Sequence, residues 1–472
     1  MPGKRITVPL VLLALLAAFL APIPSMGFVW LNRAEASFDA QDFNSAAGFY
    51  AQAARLLPWR SDLWEMAGMS ATFMGNSKQA IENYGHVSEL SATGWQMLGL
   101  SYILSGDSDT AITTFKQGLQ FYDSAAIYAL LVAAYGNQNN LEGQRDGLEN
   151  LLRLEPEDAR AHYHLGLILT VLEPEQALTH LMFAASLDPK FDPAVQTLRS
   201  ALNLSSTQPD ASQQMVTNGR ALGLVKEWAL AIPAFEKAVS LDEENAEAWA
   251  WLGEAKQQQN IITNVPMNDA GRVELDKAVR LDHTSVVVRG LRALYWSRQE
   301  KYPQMRAEYS LAAMYEPENP AWQAGLGDAY LKSGDLVSAL AAYRRATELA
   351  PNESTYWTLL AVFCAQNNVY LDEVGLPAAQ KAVAISPDDP PALDALGWVY
   401  LASGRYASAE QTLLDVTERF PAYLSAHLHL ALTYLAQGDY PSAKEKLVYI
   451  QSTDPKGPHG ELAGQFLKQY FQ

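Results

Sequence analysis

Five prolines recur at an almost constant interval in the C-terminal half of the chain. They are Pro317, Pro351, Pro387, Pro421 and Pro455, with spacings of 34, 36, 34 and 34 residues. A period near 34 indicates a unit of two helices that stacks on copies of itself. The chain is therefore predicted to fold as one elongated array of helical hairpins, in which each unit contacts only its neighbours.

The same residue types also return at the same offsets around each proline. In the unit 390–423, Gly397 lies in the first predicted helix, Gly404 at the chain reversal and Ala409 in the second helix. A small side chain lets two helices approach closely. Glycine adopts a positive φ at a helix end without strain. Each recurring residue type therefore has a physical reason for its place.

This pattern resembles the tetratricopeptide repeat (TPR), and about twelve units can be placed along the chain. Among the small residues of the first helices only Val132 departs from the pattern. The resemblance implies an all-α fold, a right-handed TPR superhelical solenoid of about twelve helix-turn-helix repeats with an N-terminal hydrophobic helix before it.

The predicted organisation has five parts. The array of repeats is interrupted, because the interval from Pro189 to Glu243 holds about 20 residues more than one repeat needs. The parts are a signal-anchor or signal peptide at 1–31, an N-terminal array of about five repeats at 32–191, an irregular helix and loop at 192–211, a C-terminal array of about seven repeats at 212–457, and a capping helix at 458–472.

The N-terminus carries a membrane-targeting pattern. Lys4 and Arg5 precede a stretch without charge from Ile6 to Leu31. Its strongly apolar part would be about 24 Å long as a helix, against about 30 Å for the hydrocarbon core. Three interpretations stay open: a single-pass anchor in the cytoplasmic membrane, extended by Met26–Leu31; a cleaved signal that leaves a secreted or periplasmic protein; and a buried hydrophobic helix of a cytosolic protein. The first two place the TPR array outside the cytoplasm.

The chain is acidic, with 52 Asp and Glu against 34 Lys and Arg and a formal charge of −18. Nucleic-acid binding rests on clustered cations, so nucleic acid is not a predicted partner. An acidic surface favours a basic or neutral protein or peptide partner, although it can also serve only to keep the protein soluble.

The motifs of common catalytic and metal sites are missing from the sequence. No HExxH, phosphate-binding glycine loop or paired cysteines occur, and Cys364 occupies a core position of the repeat. His162 and His164 lie two residues apart on a predicted helix, as do His427 and His429, so neither pair can chelate one metal ion from one face. No cofactor and no enzymatic activity are predicted.

The resemblance implies that the first helices of the hairpins line a groove that binds a partner. Asp394 and Trp398 lie one turn apart and would suit a basic residue beside an apolar one, although Trp398 could instead pack on the next hairpin. Ala129 and Ala324 stand where some TPR modules place a lysine that grips a C-terminal carboxylate, which argues against that ligand. The candidate groove residues are Tyr163, Arg220, Glu254, Asp328, Asp394 and Trp398.

Three functions are compatible with these observations. The first is a non-enzymatic scaffold on the outer side of the cytoplasmic membrane that binds peptide or protein segments. The second is an assembly factor for envelope biogenesis, secretion or polymer export, which the sequence does not separate from the first. The third, an enzyme, lacks a convergent set of catalytic groups.

Overall fold

The computed structural model describes residues 22–263 and 269–471, and within them all regular structure is helical. The first compact unit extends to Ala238. Its helices are α1 (Pro22–Asp39), α2 (Phe43–Leu56), α3 (Asp62–Phe73), α4 (Ser77–Tyr84), α5 (Ala92–Leu104), α6 (Ser108–Leu119), α7 (Ala125–Asn137), α8 (Leu141–Leu154), α9 (Ala159–Leu172), α10 (Pro174–Leu187), α11 (Asp192–Ser206), α12 (Ala211–Leu224) and most of α13 (Trp228–Leu241). A single 3₁₀ turn, Pro189–Phe191, precedes α11.

The second compact unit begins at Val239. Its helices are α14 (Ala246–Ile262), α15 (Arg272–Leu281), α16 (Val286–Arg298), α17 (Tyr302–Tyr315), α18 (Pro320–Lys332), α19 (Leu336–Leu349), α20 (Ser354–Asn367), α21 (Leu376–Ile385), α22 (Pro390–Ala402), α23 (Tyr406–Arg419), α24 (Leu424–Gln437), α25 (Tyr440–Thr453) and α26 (Pro458–Phe471). A π-helical turn, Leu371–Gly375, lies before α21. Within each unit consecutive helices pack as hairpins, so the predicted all-α, TPR-like architecture is confirmed.

A small residue on the first helix and a large one on the second set the helix separation in the hairpins. A side-chain carbon added at Gly99 would lie 2.2 Å from a ring atom of Phe115, far inside contact distance. The same relation holds for six pairs, Gly68 with Tyr84, Gly99 with Phe115, Gly166 with Leu181, Gly219 with Phe235, Gly327 with Tyr343, and Gly397 with Leu413.

The fourth hairpin reverses this relation. Val132, the one larger residue at the small position, points a methyl group at Gly147 of α8. A side-chain carbon at Gly147 would come within 2.7 Å of that methyl group. The larger side chain is here on the first helix and the glycine on the second, which keeps the two helices close.

The chain reverses between the two helices through a residue with positive φ. Gly404 has φ 71°, as expected for a glycine at a helix end. Lys226, at the equivalent turn between α12 and α13, has φ 68° although it carries a side chain. Most side chains are strained in this conformation, so the packing around the turn holds it in place.

The fourth residue of several first helices ties its hairpin to the end of the preceding helix. The indole Nε1–H of Trp357 donates to the carbonyl oxygen of Pro351 at 3.0 Å, and His427 Nε2 lies 3.0 Å from that of Pro421. His162 makes the same contact with the Pro156 carbonyl. Because a carbonyl oxygen only accepts, these contacts place the hydrogen of each imidazole on Nε2. The recurring proline and the aromatic residue at the fourth position of the next helix therefore take part in the same hydrogen bond.

The interval 192–211 contains a packed helix. Val195, Leu198 and Leu202 of α11 are buried, and the amide of Gln214 and the hydroxyl of Thr217 donate to the loop residue Gln208. This extra helix lies between α10 and α12 in sequence, yet α12 packs directly against α9.

Side chains from α12 and α13 cap the end of α9. The Asn218 amide donates to the Thr170 carbonyl at 3.3 Å. The Lys237 ammonium donates to the carbonyls of Val171 and Leu172 at 2.8 and 3.1 Å. A cation is favourable at a helix C-terminus, where the last carbonyls lack helical partners. These bonds join α12 and the second half of α13 to the end of α9.

The predicted N-terminal hydrophobic helix requires a correction. Residues 1–21, with Lys4 and Arg5, lie outside the described residues. Met26–Leu31, predicted to extend a membrane span, instead form part of α1, where Trp30 packs on Phe49 at 5.4 Å between ring centres and Leu31 is buried in the first hairpin.

The predicted localisation is also corrected. No helix in residues 22–263 or 269–471 is long and apolar enough to cross a bilayer, so the single-pass membrane prediction is wrong. The described helix nearest the predicted span is α1, which carries Arg33, Glu35 and Asp39 and buries its apolar side against α2.

We expect Gly99→Ala to destabilise the first unit by about 1–3 kcal/mol, because the added methyl group would push Phe115 out of its site. Gly48→Ala is the matched control. Gly48 is exposed on α2 with no atom near its added carbon, so alanine should stabilise the helix by up to about 1 kcal/mol. Urea unfolding of both variants measures the difference; equal effects would contradict the close-approach explanation.

Candidate partner-binding site

The six predicted groove residues belong to both compact units. Tyr163 and Arg220 belong to the first unit, on α9 and α12, and Arg220 is exposed. Glu254, Asp328, Asp394 and Trp398 belong to the second unit, on α14, α18 and α22, and they take part in three separate sets of contacts.

Glu254 is buried in an ion pair. Its carboxylate accepts two hydrogen bonds from the Arg298 guanidinium at 2.6 and 2.7 Å, and one from the Gln258 amide at 2.7 Å. Its side chain is 5% exposed. Arg298 also donates to the Gln257 side chain. The pair links the first helices α14 and α16 of neighbouring hairpins.

Asp328 is the most accessible of the three predicted acids of the second unit. Its carboxylate lies 3.3 Å from the Lys332 ammonium on the same helix, and its side chain is 41% exposed. Lys332 in turn donates to the hydroxyl of Ser297 on α16 at 3.0 Å. An exposed pair of this kind contributes little to folding, so the carboxylate stays accessible to a partner.

Asp394 is buried and accepts hydrogen bonds from the next hairpin. The Ser425 hydroxyl and His429 Nδ1 of α24 each lie 2.7 Å from one of its carboxylate oxygens. The Trp398 ring stacks on His429 with 4.4 Å between ring centres. Trp398 therefore packs on the neighbouring hairpin, which was the alternative considered from the sequence.

Glu254 and Asp394 thus already have donors from the protein itself. A buried carboxylate that lost its donors would stay desolvated and unpaired, which is costly. A partner could reach these oxygens only by displacing Arg298 or His429.

We expect Arg298→Met to destabilise the second unit by about 3 kcal/mol, because it leaves the Glu254 charge buried without its main partner. Adding Glu254→Leu should recover most of the loss, since an apolar pair of similar size can replace a buried ion pair. Denaturant unfolding of the single and double variants makes the comparison. A double variant no more stable than Arg298→Met would show that the ion pair is not the cause.

A cavity of about 450 Å³ lies in the first unit. Most of its wall is apolar, and a few polar side chains reach it. Its lining residues are Ala129, Val132, Ala133, Gly136, Asn139, Leu141, Gln144, His164, Glu227, Ala229, Leu230 and Pro233. They come from α7 and α8, from α9, and from the turn before α13 with the first part of that helix.

Small side chains on α7 make room for this cavity. Ala129, Ala133 and Gly136 fall on one side of the helix, at spacings of four and three residues. The packing of α12 against α9 brings Glu227 and the first turns of α13 to the same cavity. The cavity therefore depends on segments about 100 residues apart in the sequence.

Glu227 and His164 reach the cavity without a side-chain partner among the described residues. Burial raises the pKa of the Glu227 carboxyl above its ordinary value, because desolvation disfavours the charged form. Burial lowers the pKa of His164 for the same reason, which favours its neutral form. The cavity thus contains a desolvated carboxyl and a desolvated imidazole, both free to contact a ligand.

Tyr163, the predicted groove residue next to His164, stacks on Phe191 with 4.5 Å between ring centres. Burial and, secondarily, the charge of Glu227 raise its pKa to about 12. None of the six predicted groove residues is among the lining residues of the cavity.

Sequence reasoning missed Glu227. The residue falls in a turn between two helices, where an acid is ordinarily solvated. No local pattern indicates that α7 lies across from it, because that juxtaposition depends on how α12 packs against α9.

The cysteine and the pair of histidines His162 and His180 are in contact with other parts of the protein. Cys364 is buried, and its pKa is raised to about 11 by that burial, which favours the unreactive thiol. His162 Nδ1 lies 2.9 Å from His180 Nδ1, and His162 stacks on that ring. In the described ranges no three His, Cys, Asp or Glu side chains are grouped to hold a metal ion.

Two curated relatives and a solved structure are similar to the chain. The mouse and human Superkiller complex protein 3 are each 24% identical to the chain over 348 residues, which covers 70% of the chain and 20% of the relative. The chain thus spans about a fifth of the length of these relatives. The crystal structure of yeast Tom70 aligns with 94% of the chain and 95% of its own length, at 13% identity and a TM-score of 0.43.

Family comparisons concern three separate segments. Residues 92–123, 300–362 and 395–455 each match a model described as Tetratricopeptide repeat. The first segment contains α5 and α6, which precede the cavity helix α7, and the other two segments lie in the second unit. Sequence typical of tetratricopeptide repeats is thus found in these three segments of the chain.

Proposed function

We propose that the chain is a non-enzymatic scaffold that binds a segment of a protein partner on the first helices of its first unit. The cavity between α7, α9 and α13 carries this proposal. It has the volume of a ligand site, its walls are mostly apolar, and it contains polar groups without partners. Repeat proteins commonly use such concave surfaces for protein partners.

The neighbouring first helices could extend the contact surface. Phe73 and Leu104 occupy equivalent places at the ends of α3 and α5, which pack on each other, and their side chains are 48% and 52% exposed. Exposed apolar groups aligned in this way favour contact with a protein segment over a small polar ligand.

Second contacts are proposed on the other unit. Asp328 is exposed enough to meet a basic group, and Trp398 is only partly buried. Arg220 on α12 is a further candidate in the first unit. A partner that contacts any of these three residues as well as the cavity would bind more than one repeat.

The relatives support a role in assembly without naming the partner. Superkiller complex protein 3 is by its name a component of a complex. A scaffold that binds another protein agrees with such a role. The second hypothesis from the sequence, an assembly factor for envelope biogenesis or export, depended on a membrane location and has no independent support here.

The test is a selection of 12-residue peptides from a random display library on the immobilised full chain. We expect enriched peptides, and we expect Ala133→Leu to weaken their binding by about tenfold or more, because leucine would fill the cavity. Ala407→Leu, the same change at an exposed position of α23, is the control. No enrichment, or equal binding by both variants, would refute binding at this cavity.

A further inference from the structure

We infer that the cavity of the first unit is a receptor for a lysine or arginine side chain of a partner segment, with Glu227 as its counter-ion. The inference rests on the proposed function and specifies its ligand. It depends on the groups that line the cavity and on the absence of basic side chains among the described lining residues.

Glu227 is the one acidic side chain among the lining residues, and no lysine or arginine lines the cavity with it. Lys226, its neighbour in sequence, is exposed and forms no ion pair with it in the described structure. The acids of the second unit differ in this respect, because Arg298 and His429 already occupy the oxygens of Glu254 and Asp394. A half-buried carboxylate without a cation is complementary to a cationic ligand.

A backbone acceptor lies on the same wall. Pro233 has no amide hydrogen, so the carbonyl of Ala229 does not receive the hydrogen bond that the residue four places on normally gives. Both residues line the cavity beside Glu227. An ammonium or guanidinium group carries several donors and no acceptor, and it can satisfy a carboxylate and a carbonyl together.

The remaining lining residues accept a cation and an adjoining apolar stem. His164 carries no opposing charge in its neutral form, which its lowered pKa favours. Ala129, Ala133 and Leu230 would contact the methylene groups of a long basic side chain, which pack well on apolar walls. An acidic ligand would instead meet the Glu227 carboxylate without any cation to offset it.

A double-mutant cycle with the most enriched peptide of the selection tests the inference. The protein is changed by Glu227→Gln and the basic residue of the peptide is changed to glutamine, singly and together. We expect each single change to weaken binding by about tenfold and the double change to cost little more, because both remove the same charge pair. Isothermal titration calorimetry on the full chain gives the four dissociation constants.

Glu82→Gln is the matched control, since Glu82 is an exposed acid on α4 away from the cavity. It should leave peptide binding unchanged, and the thermal unfolding of the Glu227→Gln protein should match that of the wild type. Additive effects, or selected peptides without a basic residue, would overturn the inference. If Ala133→Leu blocked the binding of peptides that lack a basic residue, the proposed function would hold and the inference about its ligand would fail. A selection that enriched no peptide would overturn both the proposed function and the inference.

Discussion

The close approach of the two helices in each hairpin is the contact on which the rest of this structure depends. A glycine such as Gly99 lets the ring of Phe115 pack directly on the backbone of the first helix. In the fourth hairpin, Val132 and Gly147 reach the same closeness with the sizes exchanged. Because each hairpin has nearly the same thickness, the first helices of neighbouring hairpins can lie side by side and share one surface.

The partly or fully buried carboxylates of the two units fall into two physical classes. Glu254 and Asp394 already accept hydrogen bonds from the next hairpin. The donors are Arg298 for Glu254, and Ser425 and His429 for Asp394. Such bonds hold neighbouring repeats in register. The Glu227 side chain has no partner among the described residues and lies at a cavity with a backbone carbonyl that Pro233 cannot satisfy. Desolvated groups without partners are costly in folding, and a ligand can offset that cost.

The repeats could be predicted from the sequence because each residue that recurs with the 34-residue period makes a local contact. The proline spacing, the small residue and Gly404 all act within one hairpin or between consecutive ones, so their pattern could be read directly. The site could not be predicted in the same way. Burial of Asp394 depends on His429 of the next repeat, and the cavity joins α7 to a turn near residue 227 through the packing of α12 on α9.

The N-terminal error has a related origin. The absence of charge from residue 6 to residue 31 predicts one segment, although Trp30 and Leu31 complete the apolar side of the first repeat. A run of apolar residues at the start of a repeat protein can belong to a hairpin, because the first helix buries its apolar side on the second. Hydropathy alone does not separate that burial from insertion into a bilayer.

The most direct test of binding at this cavity is a crystal structure of the full chain with a selected peptide bound. The basic side chain of the peptide should lie between α7 and α13, with its nitrogen within about 3 Å of the Glu227 carboxylate. A peptide bound on another surface, with the cavity empty and Glu227 still unpaired, would contradict both the site and its chemistry.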